Sequence, residues 1–148
     1  MGPGRLPVVY APEADERLSS WIARLAPFYA MTVPDFLAAI CLKGRGVFDL
    51  EWRLGEADGA LIAARTGLSF AAVQAMTFRD GVPEARIMIA RKNRRQCPLC
   101  PEEVHRKSTA LPWRFRCPVH DVELRDATGA TLSDMLGAER TATLEAPA

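Results

Sequence analysis

Two short cysteine knuckles constrain this chain more than any other feature. In Cys97-Pro-Leu-Cys100 a tight turn lets two thiolates grip one ion, and Cys117-Pro-Val-His120 supplies the other two corners of a tetrahedron. Four soft or borderline ligands suit zinc, one ion per chain. A set closed by four protein ligands keeps no position for water, so the expected role is structural, not hydrolytic. The alternatives are a redox Cys-x-x-Cys and two unrelated knuckles with free thiols. The redox reading requires a strand-to-helix setting that RRQCPLCPEE lacks. His105 is the one rival ligand, and a surface position on the loop between the knuckles is the reading preferred for it.

The residues around the knuckles suggest how they are built in. Trp113 and Phe115 alternate with Arg114 and Arg116 just before the second knuckle, as a half-buried strand does. The expectation is a zinc ribbon, with the aromatics packed under the metal and the arginines exposed. Charge is also concentrated here. Residues 86–116 hold nine Lys or Arg against two acids, a local +7, and the rest holds ten against sixteen, a local −6. The bland reading of such a run is a solvated face. The sharper one is contact with nucleic-acid phosphates through Arg91, Lys92, Arg94, Arg95, Arg114 and Arg116, without base readout.

Upstream, the periodicity is helical. RLSSWIARLAPFYAM sets Leu18, Trp21, Ile22, Leu25 and Phe28 or Tyr29 on one stripe, with Ser19 or Ser20 near its start and Pro27 to kink or end it. TVPDFLAAICLKG offers Thr32 as N-cap, Pro34 in the first turn, Asp35 at the capping-box position and Gly44 as a stop. Cys41 in that segment reads as core. Asp49 is a candidate cap and Gly55 a break. ALIAARTGLSFAAVQAMTF then fits two helices joined by a tight turn. Ala63 is the small residue expected at the crossing, Gly67 the turn residue free to take positive φ, and Ser69 the cap of the second helix. Ile62, Leu68, Val73 and Met76 fall at the buried positions, with Thr66 the weak match. Yet SFAAVQAMTF carries only Gln74 where base readout favours several Arg, Asn or Gln, so the shape is better supported than sequence-specific DNA contact.

The fold expected is therefore mainly α with a small zinc-ribbon-like β module. It divides into a helical, helix-turn-helix-like bundle at 1–82, a zinc-finger module at 83–128 and a short C-terminal tail at 129–148. With 148 residues, 49% hydrophobic and 25% charged, the composition is that of a soluble globular protein. Neither a signal-peptide core nor an apolar run of membrane-spanning length occurs, so a cytoplasmic protein with no membrane role is expected. Two histidines, one of them read as a ligand, leave no evident base beside a nucleophile, and there is no GxxxxGK phosphate loop. An enzyme is not expected.

The helical start ERLSSWIARLA, the middle ALIAARTGLSFAAVQAMTF and the pair CPLC … LPWRFRCPVHDVEL, in that order, resemble the TniQ family over roughly residues 5–125. The resemblance implies an N-terminal helix-turn-helix-like part followed by a zinc finger, with Cys97, Cys100, Cys117 and His120 as the ligands and no catalytic residue. It implies a non-enzymatic accessory or adaptor protein of DNA transposition, linking target selection or target DNA to an AAA+ transposition ATPase. The partners implied are that ATPase and DNA, with an RNA-guided CRISPR effector complex or a transposase as further partners in some relatives. Since the chain ends about 28 residues after His120, it resembles a short form, associated in the family with capping or recruiting the ATPase. Tyr10 and Trp52 are candidate apolar anchors for a protein partner, with a core role favoured for Trp52. A zinc-containing DNA-binding transcription regulator is the alternative function.

Overall fold

The computed structural model of the chain describes residues 4–80, 87–89, 91 and 93–137. Five α-helices are named in chain order: α1 (Leu18–Phe28), α2 (Val33–Ala39), α3 (Val47–Trp52), α4 (Glu56–Thr66) and α5 (Phe70–Ala75), followed by a 3-10 turn at Ser108–Ala110. The fold is mainly helical with little strand. No described helix is long and apolar enough to cross a membrane. Residues 81–86, 90 and 92 and the tail beyond 137, on which some sequence expectations fall, lie outside the described residues.

α1 forms as its spacing predicts. Leu18, Trp21, Ile22 and Leu25 are fully buried, whereas Phe28 is 49% exposed and Tyr29 partly buried. Pro27 sits in the last turn, and the helix ends one residue later. The helix packs on α2 and α3, and with Phe36, Ile40, Leu50, Leu54, Ile62 and Val73 it forms one apolar core. Burying each such aliphatic side chain contributes about 1.5–3 kcal/mol.

The caps show which local rules held. Thr32 caps α2, accepting from the Asp35 N–H at 3.3 Å and donating to Asp35 Oδ2 at 2.7 Å. α2 stops at Ala39, well before Gly44, because Cys41 takes the left-handed conformation (φ 69°) and turns the chain. That turn also leaves Cys41 exposed, not in the core as expected. Asp49 lies inside the first turn of α3, whose N-cap is Gly46, and Gly55 is the N-cap of α4. Neither Ser19 nor Ser20 caps α1. The Glu51 carboxylate does so from α3, accepting from the Ser19 N–H at 2.8 Å and from Ser19 Oγ at 2.5 Å.

α4 and α5 are joined by residues 67–69. Gly67 ends α4 in the left-handed region (φ 76°), and Ser69 caps α5 by accepting from the Ala72 N–H at 3.1 Å. Ile62, Val73 and Met76 are buried and Leu68 partly so. Thr66, the weak match, is buried by donating its hydroxyl to the Ile62 carbonyl at 2.7 Å. The close approach between the two helices is made at Gly59, not chiefly at Ala63. A Cβ on Gly59 would stand 2.5 Å from Phe70 Cε2 and 3.1 Å from Leu54 Cδ2. Gly67 is tight as well, since a Cβ there would run into the Arg5 guanidinium. Gly67→Ala is expected to lower stability by about 1–2 kcal/mol, because it forces an L side chain into positive φ. A urea midpoint unchanged within error would contradict the capping role.

Candidate metal centre

The knuckles lie on a scaffold with little regular structure. Residues 115–124 fold back on themselves around the second knuckle. The Leu124 N–H donates to the Phe115 carbonyl at 2.7 Å and the Cys117 N–H to the Val122 carbonyl at 2.9 Å. Gln96 and Arg125 exchange two backbone hydrogen bonds of 2.8 Å, bringing the first knuckle beside this hairpin. Among the described residues these pairings are isolated bridges, Gln96 with Arg125 and Arg116 with Glu123, and extended ribbon strands are not seen. Pro98, Pro101, Pro112 and Pro118 each remove a donor that a longer ladder would need.

The fold brings four side chains to one point. The ligand atoms of Cys97, Cys100, Cys117 and His120 all lie within 4.8 Å of one another and can hold one metal ion. His120 Nδ1 is 3.5 Å from Cys97 Sγ, 3.4 Å from Cys100 Sγ and 3.6 Å from Cys117 Sγ, and the last two sulfurs are 3.7 Å apart. Cys97 and Cys117 are buried, and His120 closes the exposed side. His105 stands apart from this group. Its ring pairs with Gln96 Nε2 at 3.0 Å, and its backbone bonds reach Ser20 and Arg17.

The surroundings treat the thiols unequally. For Cys117 burial opposes ionisation, but the His120 and Val119 backbone N–H groups and the His120 ring outweigh it and bring the thiol down to about 6. For Cys100 burial dominates, against a hydrogen bond from Arg106, and pushes the thiol up to about 11. An ion that binds at neutral pH therefore has to displace the Cys100 proton.

Beneath the ligands the packing comes from Leu124, with Val122 beside it, and not from the two aromatics. Trp113 is 54% exposed, and Phe115 is taken up by the Arg95 guanidinium, 4.2 Å from its ring centre. Phe115 and Leu124 stand opposite one another across the hairpin, and of the two it is Leu124 that packs against Cys97 and Cys117.

The basic residues separate into two groups. Arg95 also donates to the Pro112 carbonyl at 2.6 Å, Arg91 lies 5.3 Å from the centre of the Phe48 ring, and Arg116 pairs with Asp121 on the surface at 3.0 Å. Arg94 and Arg114 are exposed, with no side-chain hydrogen bond or ion pair among the described residues. Lys92 lies outside the described residues.

The metal-ligating segment is docked on the helical part through a buried polar network that the sequence reading missed. Arg17 and Glu51, both 0% exposed, meet at 2.6 Å, and Arg17 Nη1 donates to Asn93 Oδ1 at 2.8 Å. Asn93 passes its own N–H groups to the Arg106 carbonyl at 2.9 Å and to Thr109 Oγ1 at 2.7 Å. Backbone bonds from Arg17 to His105 and from Lys107 to Asp15 stitch the same seam. Glu16, also buried, holds Arg24 in a two-pronged pair at 2.8 and 2.7 Å.

The described residues form a set of helices followed by a Cys3His cluster that can hold a metal ion. A family model, TniQ, matches residues 7–124, and the chain belongs to the TniQ family of transposition-associated accessory proteins. No curated protein and no solved structure matches it.

Proposed function

We propose that the chain is a non-enzymatic adaptor of DNA transposition that links target DNA, or the machinery selecting it, to an AAA+ transposition ATPase. The family match over residues 7–124 carries this reading. The metal is read as a single structural zinc. Zinc bonds of about 2.3 Å to sulfur and 2.0 Å to nitrogen imply tetrahedral edges of about 3.8 and 3.5 Å. The 3.7 Å sulfur pair and the 3.4 to 3.6 Å sulfur–nitrogen distances agree with those edges. Four protein ligands close the coordination sphere, which supports a structural and not a catalytic ion.

The α4–turn–α5 unit is read as helix-turn-helix-like, supported by Gly67 and Ser69. Its second helix has only six residues, and Gln74 on it is engaged with Asp80 at 3.2 Å. DNA is accordingly read as a backbone partner, contacted first by Arg94 and Arg114. Random duplex should bind weakly and with a steep salt dependence. Arg94→Ala with Arg114→Ala should flatten the plot of log K against log salt by roughly 0.9 per lost contact. No measurable binding at low salt, or a preference of orders of magnitude for one sequence, would refute this.

For the protein partner, Tyr10 and Phe28 are the proposed anchors. They are 41% and 49% exposed and meet edge to face, with ring centres 5.3 Å apart. Aromatic anchors of this kind carry much of the energy of protein interfaces. Trp52 is instead engaged with Phe78, ring centres 5.3 Å apart. A transposition assay tests the whole reading. Deleting the gene should change insertion frequency or target choice, and no change in either would favour the transcription-regulator alternative.

A further inference from the structure

The Arg106 side chain is an unusual occupant of its position. The residue is only 4% exposed, yet its guanidinium has no carboxylate within ion-pair distance among the described residues. Nε donates to Cys100 Sγ at 3.3 Å, and Nη1 donates to the Ala14 carbonyl, in the segment leading into α1. Burying a cation without a counter-charge is strongly unfavourable, so this arrangement calls for negative charge nearby. The cysteine cluster is the group its Nε touches, with Glu13 a weaker attraction further off.

The charge count agrees. Three thiolates and a neutral imidazole around a divalent ion leave a net −1, which one guanidinium cancels. The hydrogen bonds to sulfur agree too. Cys97 receives the Leu99 N–H at 3.4 Å from its own turn, and Cys117 receives those of Val119 and His120 from its own. Cys100 is the second residue of its knuckle, and Arg106 serves it where the other two sulfurs have turn amides.

Resting on the zinc reading above, we propose that Arg106 is a positioning residue of the metal centre. Its guanidinium balances the three-thiolate site from outside the coordination sphere and ties metal occupancy to docking of the knuckles on the helical part. The second half follows from its other bonds. Its backbone pairs with Glu16 as an antiparallel bridge, and its carbonyl accepts from Asn93 of the Arg17–Glu51 network. Losing the ion releases Cys100 from the other three ligands, and with it the sulfur that Arg106 holds, which loosens the seam at which Arg106 stands.

The test uses the full chain, purified and loaded with Zn2+, and separately with Co2+. Arg106→Gln, which keeps an amide donor but no charge, should release zinc to a chelator roughly tenfold faster or more. Arg106→Lys, which keeps the charge, should recover part of that loss. In the cobalt form the sulfur-to-metal charge-transfer band should move in Arg106→Gln. Zinc retention and cobalt spectra identical to the unmodified protein in both variants would overturn the proposal. Should the variants not fold, hydrogen exchange of the unmodified protein decides. Chelation should expose the Arg17 and Lys107 amides, which bond across the seam, before those of Ile22 and Ile62 in the helical core. Simultaneous exposure, or none, would overturn it. A purified protein holding less than about half an equivalent of metal would refute the zinc reading itself. A full equivalent with unaffected variants would refute only the role of Arg106.

Discussion

Glu51→Leu is expected to destabilise the protein by about 3–5 kcal/mol, a large share of the stability of a domain this size. The loss has two sources. The substitution leaves Arg17, fully buried, without the carboxylate that meets its Nε at 3.1 Å and its Nη2 at 2.6 Å. It also takes away the acceptor for the Ser19 N–H and hydroxyl, which is the cap of α1. Removing a cap alone costs about 1 kcal/mol, so the loss of the carboxylate facing the buried guanidinium is the larger effect. A double variant tells them apart. Arg17→Met with Glu51→Leu removes both charges and should recover most of the loss, because an apolar pair of similar volume is often no worse than a buried ion pair. What it cannot restore is the bond from Arg17 to Asn93 and, through Asn93, to the knuckle segment. Urea denaturation of the three proteins checks this. A loss below about 1 kcal/mol for Glu51→Leu would mean that the pair is neither as dry nor as central as its geometry indicates.

Loss of the metal is expected to unfold the knuckle module outright. The reason lies in the two apolar clusters. The helical cluster has fourteen buried members, whereas the second consists of Cys97, Cys117 and Leu124, with Cys100 and Val122 beside them. Three of those five are ligands, so the ion stands where a core would otherwise be. Structural zinc in small finger peptides binds with roughly 10–16 kcal/mol of apparent free energy at neutral pH, more than such a module could supply by burial. One zinc per chain should be found by elemental analysis. Cys97→Ser with Cys117→Ser should lose it, together with exchange protection across residues 93–125, while α1 and α4 keep most of theirs. Less than about half an equivalent in the unmodified protein, with the double variant folded as before, would contradict this account.

How much of this was legible in the sequence depended on the range of each interaction. The four ligands were readable because Cys97 with Cys100 and Cys117 with His120 are each held by a single turn, and a turn is encoded locally. The same holds for Thr32, Ser69 and Gly67, whose roles span three residues or fewer. The network of Arg17, Glu51 and Asn93 was not readable. Its members lie 34 and 76 positions from Arg17, and charged residues are read as surface unless a partner is in view. Arg106 was hidden for the same reason, counted among the basic residues of a solvated face. Cys41 was misplaced because the helix ends at Ala39, well short of Gly44, and a left-handed non-glycine residue two positions on reverses the direction of the side chain. Trp113 was misplaced because alternation names the two faces of a hairpin but not which one faces the ligands. The place under the ligands is filled from the other arm of the hairpin, by Leu124, 11 positions further along the chain. Gly59 rather than Ala63 marks the helix crossing because the bulk to be accommodated is the Phe70 ring, whose rotamer a sequence does not show.

The adaptor reading rests on a protein partner more than on DNA, and co-purification measures that directly. On the proposed function, the tagged chain should retain an AAA+ transposition ATPase of its host when nucleotide and duplex DNA are both present. Tyr10→Ala with Phe28→Ala should weaken that retention while the bound metal stays at one equivalent. Failure to retain the ATPase under any combination of nucleotide and DNA, by a protein that is folded and metal-loaded, would contradict the account.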